Sequence, residues 1–124
     1  MKTNSPKWLG TEAKKQFQKL IKDLPELTAV QLSFVEIMAD SYETYRGAAQ
    51  ELAAYAASSG SFNVPGSQGQ VVPHPALKII RQGADTYSSY AKLLLHSIRA
   101  SGEVAEELEN EVDDLMTKVR GLTG

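Results

Sequence analysis

The side chains that could do catalytic or metal chemistry are few and lie far apart in the chain. There is no cysteine, which excludes thiol catalysis and thiolate metal sites. The two histidines, His74 and His96, lack the close helical spacing of a metal-binding pair. His74 stands between two prolines, which favours a conformational or capping role, and His96 is expected on a solvated helix face. We therefore predict no catalytic residue, no metal site and no cofactor.

Acidic residues between positions 103 and 114 are the other candidate for metal binding. Lys118 and Arg120 follow them, so the segment is better explained as a helix with acids at its start and bases at its end, which complements the helix dipole. The glycine-containing loop at 65–69 lacks the lysine of a phosphate-binding loop and leads into a strand. The sequence gives no positive support to an enzyme.

The basic side chains are more informative, because they concentrate at one end. The net charge of the chain is −2. Residues 1–22 hold six lysines and one glutamate, which gives 6 − 1 = +5, whereas residues 101–124 hold two bases and seven acids, which gives 2 − 7 = −5. Such ends can engage partners of opposite charge, DNA at one and protein at the other. The predicted DNA contacts are Lys7, Lys14, Lys15, Lys19 and Lys22.

Two interpretations of these bases stay open. The N-terminal lysines can be the solvated side of an amphipathic helix instead of phosphate contacts. A second basic row is diluted by Asp85, so a solvated face is its simpler explanation, unless oligomerisation multiplies its charge. The secondary DNA-contact candidates are Lys78, Arg81, Lys92 and Arg99.

The elements that must position these residues are mainly helical. The length of 124 residues fits one domain. No apolar run approaches the roughly 20 residues of a membrane span, and no signal-peptide pattern opens the chain, so a cytoplasmic location is expected. We predict an antiparallel pair of long helices joined by a short β-hairpin, with a short N-terminal helix and a C-terminal helix. The predicted units are a basic arm and first helix at 1–27, a helix–hairpin–helix oligomerisation core at 28–100, and an acidic C-terminal helix at 101–124.

Local signals set the element boundaries. Thr11 is the expected cap of the first helix, Trp8 or Leu9 is expected to fold back onto it, and Pro25 ends it. The long helix begins with a capping box at Thr28–Gln31 and meets no stop before Ser58. The hairpin occupies 60–75, and its turn is Pro65, Gly66, Ser67, Gln68 and Gly69.

The apolar surface of these helices predicts a homo-oligomer. About 30 residues at 1.5 Å each make the long helix roughly 45 Å, more than a small monomer covers comfortably. The predicted oligomer interface is Phe34, Tyr42, Tyr45, Leu52, Tyr55, Tyr87 and Leu94. The last helix has a narrow apolar seam that is expected to lack a partner within one chain. This seam, predicted to bind a further subunit, is Val104, Leu108, Val112, Leu115 and Val119.

Two stretches resemble the small terminase subunits of tailed bacteriophages. They are Tyr42, Tyr45 and Arg46 in the long helix, and the hairpin-to-helix junction Gly69–Ile79, with its short strand, Pro and Pro-Ala-Leu. The resemblance covers about residues 9–100. It implies a non-enzymatic oligomer, usually a ring, that binds the packaging-initiation site on viral double-stranded DNA in the cytoplasm of the infected bacterium.

The resemblance further implies that the chain recruits or regulates the large terminase subunit, which is the ATPase and nuclease. The seam of the last helix is then the predicted contact either for the large subunit or for further assembly. The sequence has little room for a separate helix-turn-helix domain, so the basic arm is the expected DNA contact. The alternative is an oligomeric helical adaptor or scaffold that never binds DNA. Mobility shifts with viral DNA ends distinguish the two functions.

Overall fold

The computed structural model describes residues 4–123 and confirms a mainly helical fold. The two long helices are antiparallel and are joined by a two-stranded hairpin, as predicted. The division into three units stays a prediction. The elements, in chain order, are α1 (Thr11–Lys22), α2 (Ala29–Ser59), β1 (Asn63–Pro65), β2 (Val71–Pro73), α3 (Pro75–Ala100) and α4 (Glu106–Thr123).

Helix α1 differs from the prediction at its start. Thr11 is its first helical residue and not its cap, since Gly10 occupies the cap position and has no side chain to offer. Leu9 folds back into the core, whereas Trp8 is 59% exposed. Only one of two adjacent residues can turn inward, and Leu9 is the one that does. The helix ends at Lys22, just before Pro25.

The two long helices begin with the caps that the sequence predicts. At the start of α2, the Gln31 amide donates to Thr28 Oγ1 at 3.2 Å, and the Thr28 amide donates to Gln31 Oε1 at 2.9 Å. At the start of α3, the Ala76 amide donates to His74 Nδ1 at 3.0 Å. His74 therefore has a capping role. Helix α2 ends at Gly60, whose φ of 76° suits a residue without a side chain.

Helices α2 and α3 pack closely and form the centre of the core. A β-carbon added at Gly83 would lie 3.1 Å from the Ser41 carbonyl oxygen and 3.2 Å from the Tyr45 β-carbon. The two backbones can approach this closely only because Gly83 has no side chain. At the other end of the pair, Gln31 Nε2 donates to Ser97 Oγ at 2.9 Å, which fixes the start of α2 against the end of α3.

Helices α1 and α4 cover the same side of this pair. Helix α1 packs against α2, and α4 packs against α3. Lys19 of α1 and Glu111 of α4 form an ion pair, with 3.2 Å between Nζ and Oε1. Gly102, with a φ of 86°, makes the tight reversal that lays α4 back along α3. The protomer therefore has two layers, α2–α3 and α1–α4.

The expectation that the seam of α4 lacks a partner within one chain is wrong. Because α4 lies along α3, the seam is buried in the protomer except at its first residue, Val104, which is 75% exposed. The four buried residues are Leu108, Val112, Leu115 and Val119. A 4-4-3-4 spacing describes one apolar side of a helix, and it is the same whether a partner lies in this chain or in another.

Most of the predicted oligomer interface is also buried within one chain. Phe34, Tyr42 and Tyr55 keep part of their surface exposed. The other four predicted residues are at most 6% exposed, so they are core residues of the protomer: Tyr45, Leu52, Tyr87 and Leu94. The structure therefore puts them between helices of one protomer.

The hairpin stands at the end of the α2–α3 pair. Val64 and Val72 are paired in its antiparallel register. Tyr55 Oη donates to the Asn63 carbonyl oxygen at 3.0 Å, and the Tyr55 ring lies 4.8 Å from the His74 ring. The hairpin thus leans on α2, which such a short two-stranded sheet needs in water.

Candidate nucleic-acid interface

Helix α1 carries the lysines, and its start is fixed by a residue of α2. Glu43 Oε1 accepts hydrogen bonds from the backbone amides of Glu12 at 3.0 Å and Ala13 at 3.4 Å. These are two of the amide groups that a helix start leaves without internal partners. A β-carbon at Gly10 would lie 2.8 Å from Glu43 Cδ, so glycine there makes room for the carboxylate. Glu43 supplies the cap that Gly10 lacks.

A second anchor joins α1 to the other layer of the protomer. Gln16 is buried, and its Nε2 donates to Tyr87 Oη at 3.3 Å and to Glu111 Oε2 at 3.5 Å. Burial, with a smaller contribution from the Glu111 charge, raises the pKa of Tyr87 well above its ordinary value of 10.0. The Tyr87 hydroxyl therefore stays neutral and accepts from Gln16. With both anchors, α1 presents a fixed outer surface.

The outer surface of α1 is basic. Lys14, Lys15 and Lys22 are exposed on it, and Lys7 is exposed just before it. Lys15 pairs with Glu12 at 3.5 Å, and Lys19 pairs with Glu111. Among residues 4–123, Lys7, Lys14 and Lys22 make no ion pair. We call Lys7, Lys14, Lys15 and Lys22 the α1 basic face.

The segment before α1 adds Trp8 to this surface. Ser5 Oγ donates to the Lys14 carbonyl oxygen at 3.4 Å, and Gln18 Nε2 donates to Ser5 Oγ at 2.8 Å. These bonds lay the segment along α1 and leave Trp8 exposed near the lysines. Sequence reasoning gave Trp8 and Leu9 equal standing, because no local pattern decides which of two adjacent apolar residues turns inward.

The secondary basic row on α3 contains two residues without ion pairs in the described part of the chain, and two that interact within the chain. Lys78 and Lys92 are exposed and make no ion pair with any described residue. Arg99 contacts Glu109 of α4, and Arg81 also interacts within the chain. The row does not join the α1 basic face, since α1 meets α3 through Gln16 and the buried Tyr87.

A polar cleft of about 130 Å³ lies between α1, α2 and α4. It carries both charge signs, with Lys19, Arg46 and Lys118 opposite Glu111 and Asp114. Burial raises the pKa of Tyr45 at its wall. Within residues 4–123 no group of three or more His, Asp or Glu side chains is arranged to hold a metal ion.

Comparison with known families assigns the chain. The family model described as phage terminase, small subunit, matches residues 13–111. The chain belongs to the phage terminase small subunit family. The match runs from the first helical turn of α1 through α2, the hairpin and α3 into α4. No curated protein and no solved structure matches the chain.

Membership of the terminase small subunit family confirms the resemblance seen in the sequence and indicates a role in phage DNA packaging. The matched segment contains Lys14, Lys15, Lys19 and Lys22, whereas Lys7 and Trp8 precede it. In this terminase subunit, none of the helices that the structure describes combines the length and apolarity needed to cross a membrane.

Proposed function

We propose that this small terminase subunit binds viral double-stranded DNA at the packaging-initiation site and recruits or regulates the large terminase subunit. It would act as a homo-oligomer, a ring, in the cytoplasm of the infected bacterium, without a cofactor and without catalysis of its own. The observation that carries the proposal is the α1 basic face, held outward by Glu43 and Gln16 on a member of this family.

The α1 basic face suits phosphate more than a base-reading role. Lysine is a flexible point charge, and neutralising DNA phosphates releases condensed counterions whatever the sequence. Lys14 and Lys22 have no competing carboxylate within the described chain, whereas Lys19 is paired. We therefore rank Lys7, Lys14 and Lys22 above the paired Lys15 and Lys19 as DNA contacts.

Assembly into a ring would raise the DNA affinity of the α1 basic face, which is small for a single chain. One protomer presents four lysines on the α1 basic face, while its net charge is −2. A ring would repeat that face once per subunit along the DNA, so the phosphate contacts of the subunits would add.

For the large subunit, the outward side of α4 replaces the buried seam as the proposed contact. Glu106, Glu107, Asp113 and Asp114 are exposed on α4, and Val104 is exposed just before it. An acidic surface with one apolar residue fits a basic patch on the partner. If the large subunit bound the seam itself, α4 would have to separate from α3.

The test is DNA binding by two variants with the same change of charge. Lys14→Glu with Lys22→Glu alters the α1 basic face, and Lys118→Glu with Arg120→Glu, at two exposed bases of α4, is the matched control. With labelled viral-end DNA at low salt, we expect the first pair to weaken binding about 100-fold and the second less than about threefold. Equal effects would place the contact elsewhere.

The second candidate is an oligomeric adaptor that does not bind DNA. The observation in its favour is the pairing of Lys15 with Glu12 and of Lys19 with Glu111, which neutralises two of the basic side chains inside the protomer. The adaptor predicts no anisotropy change of the labelled DNA with the unaltered protein, even at low salt.

A further inference from the structure

The side of the α2–α3 pair that faces away from α1 and α4 carries exposed apolar side chains. Both outer helices lie on one side, as the Lys19–Glu111 contact requires. Among residues 4–123 no helix covers the other side. We name it the bare face. Val30 and Leu93 are exposed on it, and Phe34, Ile37 and Tyr90 are half-buried.

The bare face is one continuous patch. Steps of four and three residues place Val30, Phe34 and Ile37 on one side of α2. The Phe34 and Tyr90 rings lie 6.0 Å apart and connect this side to α3. Val30 is 63% exposed and Leu93 is 51% exposed. Soluble proteins rarely leave a continuous apolar patch uncovered unless a partner binds there.

The two outer edges of the α2–α3 pair have opposite charge. The α2 edge carries Asp40 and Glu51, and the α3 edge carries Lys78 and Lys92 with Asp85 between them, which leaves the α3 edge basic on balance. All five are exposed, and none forms an ion pair with another described residue. A partner of a single charge would be attracted to one edge and repelled by the other. A second copy has both charges, and it satisfies both edges when its α3 lies beside α2 of the first copy.

We infer that the bare face is the contact surface for a second copy of this chain, with α2 of one copy beside α3 of the next. The inference rests on the proposed homo-oligomer and narrows it to one surface. The predicted interface residues Tyr45 and Tyr87 are buried, and the inference replaces them with the exposed Leu93 and Val30. An apolar centre with charged edges is the usual composition of a protein–protein contact.

The experiment measures the mass of the full chain at about 10 µM by native mass spectrometry, without and with Leu93→Glu. Val104→Glu is the matched control, since Val104 is exposed and lies outside the bare face. We expect the unaltered chain and the control to be oligomers. For Leu93→Glu we expect monomers of 13.5 kDa and a dissociation constant raised at least about tenfold. Circular dichroism verifies that the variant keeps its helices.

A charge exchange tests the bare-face contact independently of Leu93→Glu. It can be used even if the Leu93→Glu variant fails to fold. Asp40→Lys should weaken association, and adding Lys92→Asp should restore it, because positions 40 and 92 of neighbouring copies again carry opposite charges. If Leu93→Glu or Asp40→Lys leaves the oligomer unchanged, the bare face is not the contact between copies. That result would not contradict the proposed function. A monomeric unaltered chain overturns both the contact and the homo-oligomer, while DNA binding by α1 is judged separately from the anisotropy measurement.

Discussion

The carboxylate of Glu43 accepts a hydrogen bond from the backbone amide of Glu12 at 3.0 Å, across 31 positions of the sequence. One helix is thus capped by the side chain of another. The interaction couples the lysines of α1 to the rigid α2–α3 pair, and glycine at position 10 leaves space for it. The position of the DNA-binding surface then depends on a residue that never touches DNA.

Removing this cap should loosen α1. We expect Glu43→Ala to lower the free energy of unfolding by about 1 kcal/mol, the usual cost of removing a cap, and to speed hydrogen exchange at the Glu12 and Ala13 amides. Glu51→Ala, an exposed acid on the same helix, is the control and should change neither. Unchanged exchange at both amides in Glu43→Ala would mean that Glu43 does not cap α1 in solution.

Gly10 should act through the same carboxylate. Gly10→Ala displaces Glu43, so exchange at the Glu12 amide should rise as it does in Glu43→Ala. In the Glu43→Ala background, the alanine at position 10 should produce no further rise, because no carboxylate remains to be displaced. Additive effects of the two changes would contradict the shared mechanism.

Alanine substitutions at two glycines should change the free energy of unfolding in opposite directions, because only one of the two glycines lies at the close approach of α2 and α3. We expect Gly83→Ala to destabilise the protein by about 1–3 kcal/mol, since the added methyl meets the Ser41 carbonyl and the Tyr45 backbone. Gly47 lies within α2, and a β-carbon added there would have no atom within 4 Å apart from the backbone of its own helix. Gly47→Ala should therefore stabilise by roughly 0.5–1 kcal/mol. Urea denaturation measures both, and a stabilising Gly83→Ala would contradict the packing.

Glu111 should restrain DNA binding through Lys19. Glu111→Gln removes the partner charge at 3.2 Å, and we expect DNA to bind about two- to threefold more tightly at low salt, since exposed ion pairs are weak. The gain should vanish as salt screens the charges. Glu107→Gln makes the same change of charge on exposed α4 without a lysine contact. An equal gain in that control would show a general charge effect.

The buried Tyr87 hydroxyl predicts a loss of stability at high pH. Its pKa is raised in the folded protein, and an unfolded tyrosine titrates near 10. The unfolded chain therefore loses the proton first, so this contribution to stability is complete below about pH 10 and falls as the pH rises above it. Tyr87→Phe should reduce the decline in melting temperature between about pH 9 and 11. An unchanged decline would mean that Tyr87 does not contribute to it.

Local signals in the sequence were sufficient for the elements, and distant contacts were not. The Thr28–Gln31 box and the proline-flanked His74 each act within four residues, so their roles can be inferred without a fold. The Glu43 cap joins two helices across 31 positions, and no local pattern marks it. Apolar spacing placed Leu94 and Leu115 on the buried sides of their helices, but spacing does not say which chain supplies the neighbour.

The candidate site divides in the same way. Lysines at helical spacing on the outer side of an amphipathic helix are visible in the sequence, so the basic face of α1 could be predicted. The pairing of Lys19 with Glu111 and the exposure of Trp8 depend on how α4 and the N-terminal segment pack, and they became known only from the fold.

The salt dependence of DNA binding tests the central claim most directly. The only tryptophan, Trp8, is exposed and follows Lys7 in the chain, so its fluorescence is expected to report binding. We expect the affinity of the unaltered protein for viral-end duplex DNA to fall steeply with salt. In Lys14→Ala with Lys22→Ala, the slope of log K against log salt should be shallower by about 2 units for each protomer in contact with the DNA, since each phosphate that is no longer neutralised reduces it by about 0.9. An unchanged slope, or no binding by the unaltered protein at low salt, would contradict DNA binding by α1.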